Sequence, residues 1–172
     1  MKLIFPVTFL FLLSGCAASY HQESIKKPDA KLDRNGSVSI AMPANGFYGS
    51  QEYQSSGRMT ASAVRSAFSK VVNTTDIIPE CQDINCMIQA HSATYDYHVI
   101  PDILHWEDRA TEWSGKPDRI EVKITVYGSQ VTSEIASTTI SGKSKWATLG
   151  GDHPQDLLSE PINAYVRSLY SK

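Results

Sequence analysis

The sequence predicts an α+β domain in which a mixed sheet of about five strands carries three helices, mainly on one face. Residues 119–127 alternate apolar and polar side chains, as expected for a strand with one buried and one wet face. Apolar residues recur at helical spacing within residues 58–73 and 155–170, and Pro161 marks a kink or the true start of the later helix. These patterns predict the order β-α-β-α-β-β-β-α, whose last three strands form an antiparallel meander.

The first half of the domain is predicted to hold two strands and two helices. Residues 37–42 alternate as a strand, and residues 44–57 form a loop rich in Gly, Ser and Gln. A helix covers residues 58–73, a short strand covers residues 75–79, and Asp83 can cap the second helix. The apolar stripe of the first helix is Met59, Ala63, Val64, Ala67, Phe68, Val71 and Val72. That of the second is Ile84, Met87, Ile88 and His91.

Two strands of the second half carry irregularities. Residues 95–107 are extended and apolar, but Pro101 lies inside them and cannot donate to a ladder, which indicates an edge position or a bulge. Residues 131–141 form the last strand of the meander. Ile135 and Ile140 have opposite parity within it, so a bulge or twist is expected there.

The N-terminus has the pattern of an export signal. Lys2 precedes a mostly apolar run over residues 3–13, which is too short to span a bilayer as a helix. The Leu-Ser-Gly-Cys sequence that ends at Cys16 resembles the bacterial lipobox, which implies cleavage before Cys16 and lipidation of its thiol. The alternative is an ordinary secretory signal that happens to contain a Cys. Ala17 stands where some sorted lipoproteins have Asp, and this resemblance implies the outer membrane, with the inner membrane or cell surface as alternatives.

The chain is therefore divided into three parts. Residues 1–15 are the signal peptide, residues 16–36 are the lipidated Cys and a flexible tether, and residues 37–172 are a single globular domain. The tether is assigned because its apolar residues are sparse and show no period. In the alternative interpretation, part of it packs on the domain through Leu32.

Composition excludes some partners. The chain is 41% hydrophobic and 20% charged, which is ordinary for a globular protein. Its formal net charge is -2, and no basic cluster offers the several phosphate contacts that nucleic-acid binding needs. We therefore expect no nucleic-acid partner.

Apart from Cys16, the only cysteines are Cys81 and Cys86. An exported protein meets an oxidising compartment, so the pair is a candidate disulfide. Residues five apart on a regular helix are too distant to bridge, and a turn near Asp83 is then required. Two buried free thiols and a redox-active pair remain as alternatives, although the C-x-x-C spacing of redox pairs is absent.

The densest polar segment, residues 105–115, joins two predicted strands. An exposed Trp in such a loop can anchor a partner, and it can equally fold back as the lid of a core. Arg109 is expected to pair with neighbouring carboxylates. The candidate partner-binding residues are Trp106, Glu107, Asp108, Arg109 and Trp113.

Catalytic and metal chemistry is possible only in principle. Glu107, Asp108 and Glu112 could form an acid–base pair, and His98 or His105 could bind a metal only with further ligands. Asp152-His153 follows a Gly pair that we interpret as a turn, because no G-x-S-x-G elbow accompanies it. Gly-rich phosphate loops are absent. We predict no catalytic residue, no metal site and no cofactor.

Three stretches of the domain have a specific sequence: residues 97–119, which contain WEDRATEWSG, residues 144–158, which contain GGDHPQDLL, and residues 165–170. In these stretches the chain resembles the YbfP-like bacterial lipoproteins, a family of unknown function, and the resemblance covers most of the domain. It implies a lipoprotein and brings no activity that any residue here could inherit. More loosely, the element order is similar to that of periplasmic α/β domains in TolB, LpoB-type and CsgG-type proteins, which implies envelope assembly and protein contact.

These observations predict a lipoprotein anchored at the periplasmic face of the outer membrane. Its domain is expected to be a non-enzymatic accessory or binding module for an envelope protein or polymer. One alternative is an envelope-polymer hydrolase that uses Glu107, Asp108, His105 or the Asp152-His153 pair. Another is a small-ligand carrier, which would require a sizeable apolar pocket.

Overall fold

A six-stranded mixed sheet forms the centre of the computed structural model, which describes residues 18–91, 93–109, 116–129, 132–145 and 153–170. The strands of this sheet are β1 (Ser19–Lys26), β2 (Val38–Ala41), β5 (Thr75–Ile78), β6 (Tyr97–Glu107), β7 (Arg119–Gly128) and β8 (Glu134–Lys143). A separate hairpin consists of β3 (Phe47–Tyr48) and β4 (Gln51–Glu52). The helices are α1 (Ser56–Phe68), α2 (Ile84–His91) and α3 (Ser159–Tyr170), and a 3-10 turn over Pro154–Leu157 precedes α3.

The strand order across the sheet is β1-β8-β7-β6-β2-β5. Strand β2 runs parallel to both β5 and β6, whereas β6, β7, β8 and β1 form an antiparallel series. The predicted α+β class and the antiparallel meander are thus confirmed. The large sheet has six strands rather than about five, because β1 was not expected.

Strand β1 corrects the prediction of a flexible tether over residues 16–36. Ser19 pairs with Lys143 and Lys26 with Ser137, so β1 forms an edge of the sheet. Leu32 is only 7% exposed, and its amide donates to the Leu169 carbonyl at 3.1 Å. This segment therefore packs on the domain through Leu32, as the alternative interpretation expected. Most β1 side chains are exposed, which leaves little apolar periodicity in the sequence, and pairing is made by the backbone.

The two faces of the sheet differ in their cover. One face, here called the helix face, buries Ile120, Val122, Ile124 and Val126 of β7 in the main core together with side chains of α1 and α3. Their neighbours in the alternation point to the other face, here called the open face. There, a smaller apolar cluster packs α2 against the β2, β5 and β6 side: Ala41, Ile78, Cys81, Met87 and Ile100. Across β7, β8 and β1 the open face carries polar side chains.

Pro101 is tolerated in β6 because β2 ends before it. Strand β2 pairs with β6 only as far as Val99, and no strand among the described residues pairs with that side of β6 beyond it. Pro101 therefore sits at a local edge, where its missing N–H costs no ladder hydrogen bond. The register also shifts between Ile103 and His105, which leaves Leu104 unmatched and 54% exposed.

The remaining elements differ from prediction mainly at their ends. Helix α1 stops at Phe68, so Val72 is buried beyond the helix, and Met59 is 38% exposed. In β8 the expected bulge falls at Ile135, which is skipped between pairs made by its two neighbours. Pro161 lies in the first turn of α3, where its ring is compatible with a helix start.

The candidate disulfide between Cys81 and Cys86 is confirmed, with Cα atoms 5.4 Å apart. A turn precedes α2, as the spacing required, and the carboxylate of Asp83 accepts the Cys86 amide at 3.0 Å. Cys81 is fully buried and Cys86 partly buried. The bridge therefore ties the chain before α2 to its first turn.

Within the described ranges, no helix is both long and apolar enough to cross a membrane.

Candidate functional site

A group of polar side chains converges where β6 ends and β7 begins. Glu107 is the last residue of β6 and stands opposite Arg119, the first residue of β7. The hairpin of β3 and β4 and the segment before α3 contribute from outside the sheet. We call the group the strand-end cluster, and its members are Tyr48, His105, Glu107, Asp108, Arg109, Asp118 and His153.

Glu107 is the buried charge of this cluster, with 2% exposure. Its carboxylate is paired with the Arg109 guanidinium, and the His105 ring nitrogen Nε2 lies 3.4 Å from it. Burial by itself raises the pKa of Glu107, but the hydrogen bonds from His105 and Arg109 and their positive charge lower the pKa overall. Glu107 is therefore an ionised carboxylate whose charge is compensated inside the protein.

Arg109 also connects the cluster to the small hairpin. Its guanidinium donates to the Tyr48 hydroxyl at 3.2 Å and lies 5.5 Å from the centre of the Tyr48 ring. The same ring meets His105 edge to face, with ring centres 5.5 Å apart. A cation over an aromatic face is attracted by the ring quadrupole. These contacts hold β3 against the end of β6.

Asp118 connects the chain that follows residues 110–115 to Arg109, the residue that precedes them. Its carboxylate accepts the Arg109 amide at 2.5 Å, and its own amide donates to the Ser144 hydroxyl at 2.9 Å. Burial is the main cause that raises the pKa of Asp118, and the charges of Asp108 and Glu107 raise it further. The Arg109 amide and His153 act in the opposite direction.

Asp108 and His153 form the loosest contact of the cluster. The Nδ1 atom of His153 lies 3.8 Å from Oδ1 of Asp108, which is an ion-pair distance rather than a hydrogen bond. That carboxylate oxygen is buried and has no hydrogen-bond partner among the described residues. The Tyr53 hydroxyl meets the backbone carbonyl of Asp108 at 3.4 Å. Within the cluster, the Asp108 carboxylate therefore keeps an oxygen without a hydrogen-bond partner among the described residues.

The structure separates the two Trp candidates. Trp106 is 2% exposed and belongs to the main core on the helix face. Of the two alternatives for a Trp in this segment, a partner anchor or the lid of a core, Trp106 therefore fits the second. Trp113, Glu112 and Asp152 lie outside the described residues, as does Cys16. Asp108 and Arg109 are partly exposed at the strand-end cluster.

The two candidate metal histidines are not brought together. His98 is fully buried and its Nδ1 lies 2.6 Å from the Ser39 hydroxyl, whereas His105 lies near the far end of β6. Burial lowers the pKa of His98. Across the part of the chain that the structure describes, no three His, Cys, Asp or Glu side chains group in a way that could hold a metal ion.

A second polar feature lies beside the strand-end cluster. A groove of about 630 Å³ runs over the open face across the ends of β1, β8 and β7. We call it the open-face groove, and both polar and apolar atoms line it: Ser19, Tyr20, His21, His105, Arg119, Ile120, Glu121, Ser141, Gly142 and Lys143. Sequence patterns did not indicate it, because residues of four separate strands, β1, β6, β7 and β8, line it.

Substitution of Glu107 tests whether the cluster stabilises the fold. A group with a lowered folded-state pKa stabilises the protein above its unfolded pKa and loses that contribution as the pH falls through the folded value. We expect Glu107→Gln to lower the free energy of unfolding by about 1–3 kcal/mol at pH 7, because a buried hydrogen-bonded charge is lost. The difference from wild type should shrink as the pH falls below the unfolded pKa of about 4.3 and through the lower folded-state pKa, where the wild-type carboxylate is also protonated. Urea denaturation from pH 7 to pH 3 measures both effects, and an equal difference at every pH would contradict this role.

Fold and site together define a mixed-sheet α+β domain with an internally paired polar cluster at one end of its sheet. The sequence matches the family model described as "Domain of unknown function (DUF4823)" over residues 30–169. The chain therefore belongs to this family of unknown function. No protein of curated function matches it.

Solved structures share the fold at low sequence identity. The chain is similar to "PelC dodecamer from Paraburkholderia phytofirmans", with a TM-score of 0.67, 13% identity, and coverage of 90% of this chain and 99% of that one. A dodecamer of a PelC point variant from the same organism has a TM-score of 0.61, 15% identity, and coverage of 88% and 94%. Protein XCC0632 from Xanthomonas campestris, of family DUF330, has a TM-score of 0.52, 15% identity, and coverage of 81% and 86%. At these identities the likeness establishes the fold alone.

Proposed function

We propose that this protein is a lipoprotein held at the periplasmic face of the outer membrane by lipid on Cys16, and that its domain is a non-enzymatic binding module of the cell envelope. The observation that carries the proposal is the internal pairing of the strand-end cluster. Its buried charge, Glu107, is compensated by Arg109, and the Asp118 carboxylate accepts a hydrogen bond from the Arg109 backbone amide. The YbfP-like resemblance belongs to the same proposal.

The pKa directions favour binding over hydrolysis. A general acid at neutral pH needs a carboxyl with a raised pKa, whereas the pKa of Glu107 is lowered. The pKa of Asp118 is raised, but its carboxylate accepts a backbone amide of its own chain. Asp108 and His153 are the remaining pair, and 3.8 Å is too long for the hydrogen bond that orients a catalytic base.

The cluster suits the presentation of a contact segment. Arg109 precedes residues 110–115 and Asp118 follows them in the sequence, and the hydrogen bond from the Arg109 amide to the Asp118 carboxylate fixes these two flanking positions relative to each other. Trp113 lies within the segment, and Trp is among the residues that dominate binding energy at interfaces. We propose that Trp113, together with Asp108 and Arg109, contacts an envelope protein or polymer. Because the similar PelC structures are described as dodecamers, a second copy of this chain is one candidate partner.

The test is photocrosslinking in cells with a photoreactive amino acid at position 113 of the full lipidated protein. A matched probe at Lys27, which is exposed beyond the far end of β1, controls for proximity alone. We expect a discrete adduct from position 113 and none from position 27, and mass spectrometry then separates an envelope protein, a polymer and a second copy. Equal labelling at both positions, or no adduct at 113 with normal protein levels, would contradict the proposed contact.

A further inference from the structure

The position of β1 shortens the connection between the lipid and the domain. Ser19 begins β1 only three residues after Cys16, which is at most about 11 Å of extended chain. Ala18 already packs against the main core. A bilayer's headgroup layer is about 5–8 Å thick on each side. A lipid on Cys16 therefore holds this end of the sheet against the headgroups, whereas a 20-residue tether would allow it to move away.

The pairing register identifies which side chains lie at that end. Ser19 is opposite Lys143, and Lys143 is opposite Arg119. The Lys143 and Arg119 side chains are both exposed, and they line the open-face groove. The strands continue away from this row, so Lys26 at the other end of β1 lies about 23 Å further along the sheet.

Lys143 and Arg119 are two cations placed directly opposite each other. Such pairs have Cβ atoms about 5 Å apart, and like charges at this distance destabilise a sheet. The structure shows no salt bridge or side-chain hydrogen bond for either residue within the described ranges. Glu107, the other cross-strand neighbour of Arg119, is paired with Arg109 instead. An anion from outside the chain would therefore relieve the repulsion between the two cations.

The other titratable groups of the groove leave it net positive. Glu121 contributes one negative charge, against one positive charge each from Arg119 and Lys143. His21 and His105 complete the next open-face row and add no negative charge. An anionic group with several acceptor oxygens is the chemistry that a guanidinium beside an ammonium recognises.

We infer that the end of the sheet formed by Ser19, Lys143 and Arg119 rests on the membrane, where this cation pair binds the phosphate groups of anionic lipids. The inference rests on the proposed lipidation of Cys16. It places Asp108 and Arg109 at the membrane surface as well, since Glu107 closes the same cross-strand row.

The test uses the purified lipidated protein in vesicles that carry a quencher on the lipid headgroup. A fluorophore is attached in separate samples at position 141, which lies in the groove, and at position 27, which lies beyond the far end of β1. We expect strong quenching at position 141 and little at position 27, with quenching at 141 greater in vesicles containing phosphatidylglycerol than in pure phosphatidylcholine. High salt should remove this lipid dependence, because about 1 M salt shortens the screening length to about 3 Å.

Variants that remove the charges of Arg119 and Lys143 test whether these two cations cause the docking to anionic lipid. Each cation near an anionic surface contributes roughly a fivefold factor, so Arg119→Gln with Lys143→Gln should reduce the ratio of docked to undocked protein about 25-fold in phosphatidylglycerol vesicles. The matched control replaces two exposed cations elsewhere, Lys27→Gln with Arg167→Gln, and should change the ratio less than about twofold. Circular dichroism checks that both double variants are folded. Equal quenching at positions 141 and 27, or equal losses in both double variants, would overturn the inference.

Two further measurements distinguish the possible failures. Mass spectrometry of the N-terminal peptide reports whether Cys16 is lipidated, and absence of lipid would overturn the proposed anchor together with this inference. Lipidated protein that shows no preference for phosphatidylglycerol would overturn the inference and leave the anchor intact. Inorganic phosphate that protects the groove from labelling in detergent, without lipid dependence in vesicles, would identify a free phosphate site and likewise overturn it.

Discussion

Replacing Cys16 with Ser should move nearly all of the protein from the membrane fraction to the soluble fraction of the envelope. In the proposed lipoprotein the Cys16 thiolate receives diacylglycerol, and because a hydroxyl cannot take its place the variant would carry no acyl groups. Each buried methylene contributes about 0.8 kcal/mol, and two or three chains hold a protein far more firmly than the marginal binding of one. We expect the membrane-bound fraction to fall at least about tenfold, as measured by fractionation and immunoblotting.

The double variant Cys81→Ala with Cys86→Ala is the matched control for this experiment. It removes the other two cysteines of the chain, which form the disulfide at the first turn of α2, and leaves Cys16 in place. This variant should stay in the membrane fraction with unchanged N-terminal lipid. If Cys16→Ser protein remained on the membrane, the attachment would come from an uncleaved signal or from a protein partner, and the lipid anchor would be wrong.

The meander was predictable because the isoleucines and valines of its central strand all lie on one face. The apolar and polar residues of β7 alternate without interruption, and the structure buries Ile120, Val122, Ile124 and Val126. Strand β1 escaped prediction for the opposite reason. It is an edge strand with mostly exposed side chains, so its existence depends on backbone pairing with β8, which no local pattern records.

The candidate site was predictable only where it is local in sequence. Glu107 and Arg109 are two residues apart, and their pairing was expected from a polar segment between two strands. Tyr48 and His153 reach the cluster from 61 residues before Arg109 and 45 residues after Asp108, respectively. Their approach requires the β3–β4 hairpin and the segment before α3 to fold against the same end of the sheet. A single sequence carries no local signal for such contacts.

The larger consequence of β1 concerns where the candidate contact surface lies. A tether of about twenty residues would let the domain turn any face toward a partner. The structure leaves residues 17 and 18 between Cys16 and β1, so a lipid on Cys16 would orient the sheet with its strand-end cluster toward the bilayer. A partner that contacts the strand-end cluster should then be a membrane component, a membrane-anchored protein or an adjacent copy of this chain.

Trp106→Ala should lower the free energy of unfolding by about 3–5 kcal/mol, the usual cost of removing a buried Trp side chain. Trp106 is 2% exposed and stands opposite Ile120. The chain before β3 packs directly on it, since a Cβ added at Gly46 would lie 2.6 Å from the Trp106 Cβ. Because small domains are stable by only about 5–15 kcal/mol, this is a large fraction of the total stability. Urea denaturation followed by circular dichroism measures the change.

Leu104→Ala is the matched control, because Leu104 lies two residues away in the same strand but is 54% exposed at the bulge. Its free energy of unfolding should change by less than about 1 kcal/mol. Trp106→Phe should recover part of the loss, since a smaller ring still fills much of the site. A Trp106→Ala protein with wild-type stability but no crosslinked partner would show that this Trp is a contact residue. Normal crosslinking from position 113 in a folded but destabilised Trp106→Ala protein would instead assign packing to Trp106 and recognition to the segment that follows it.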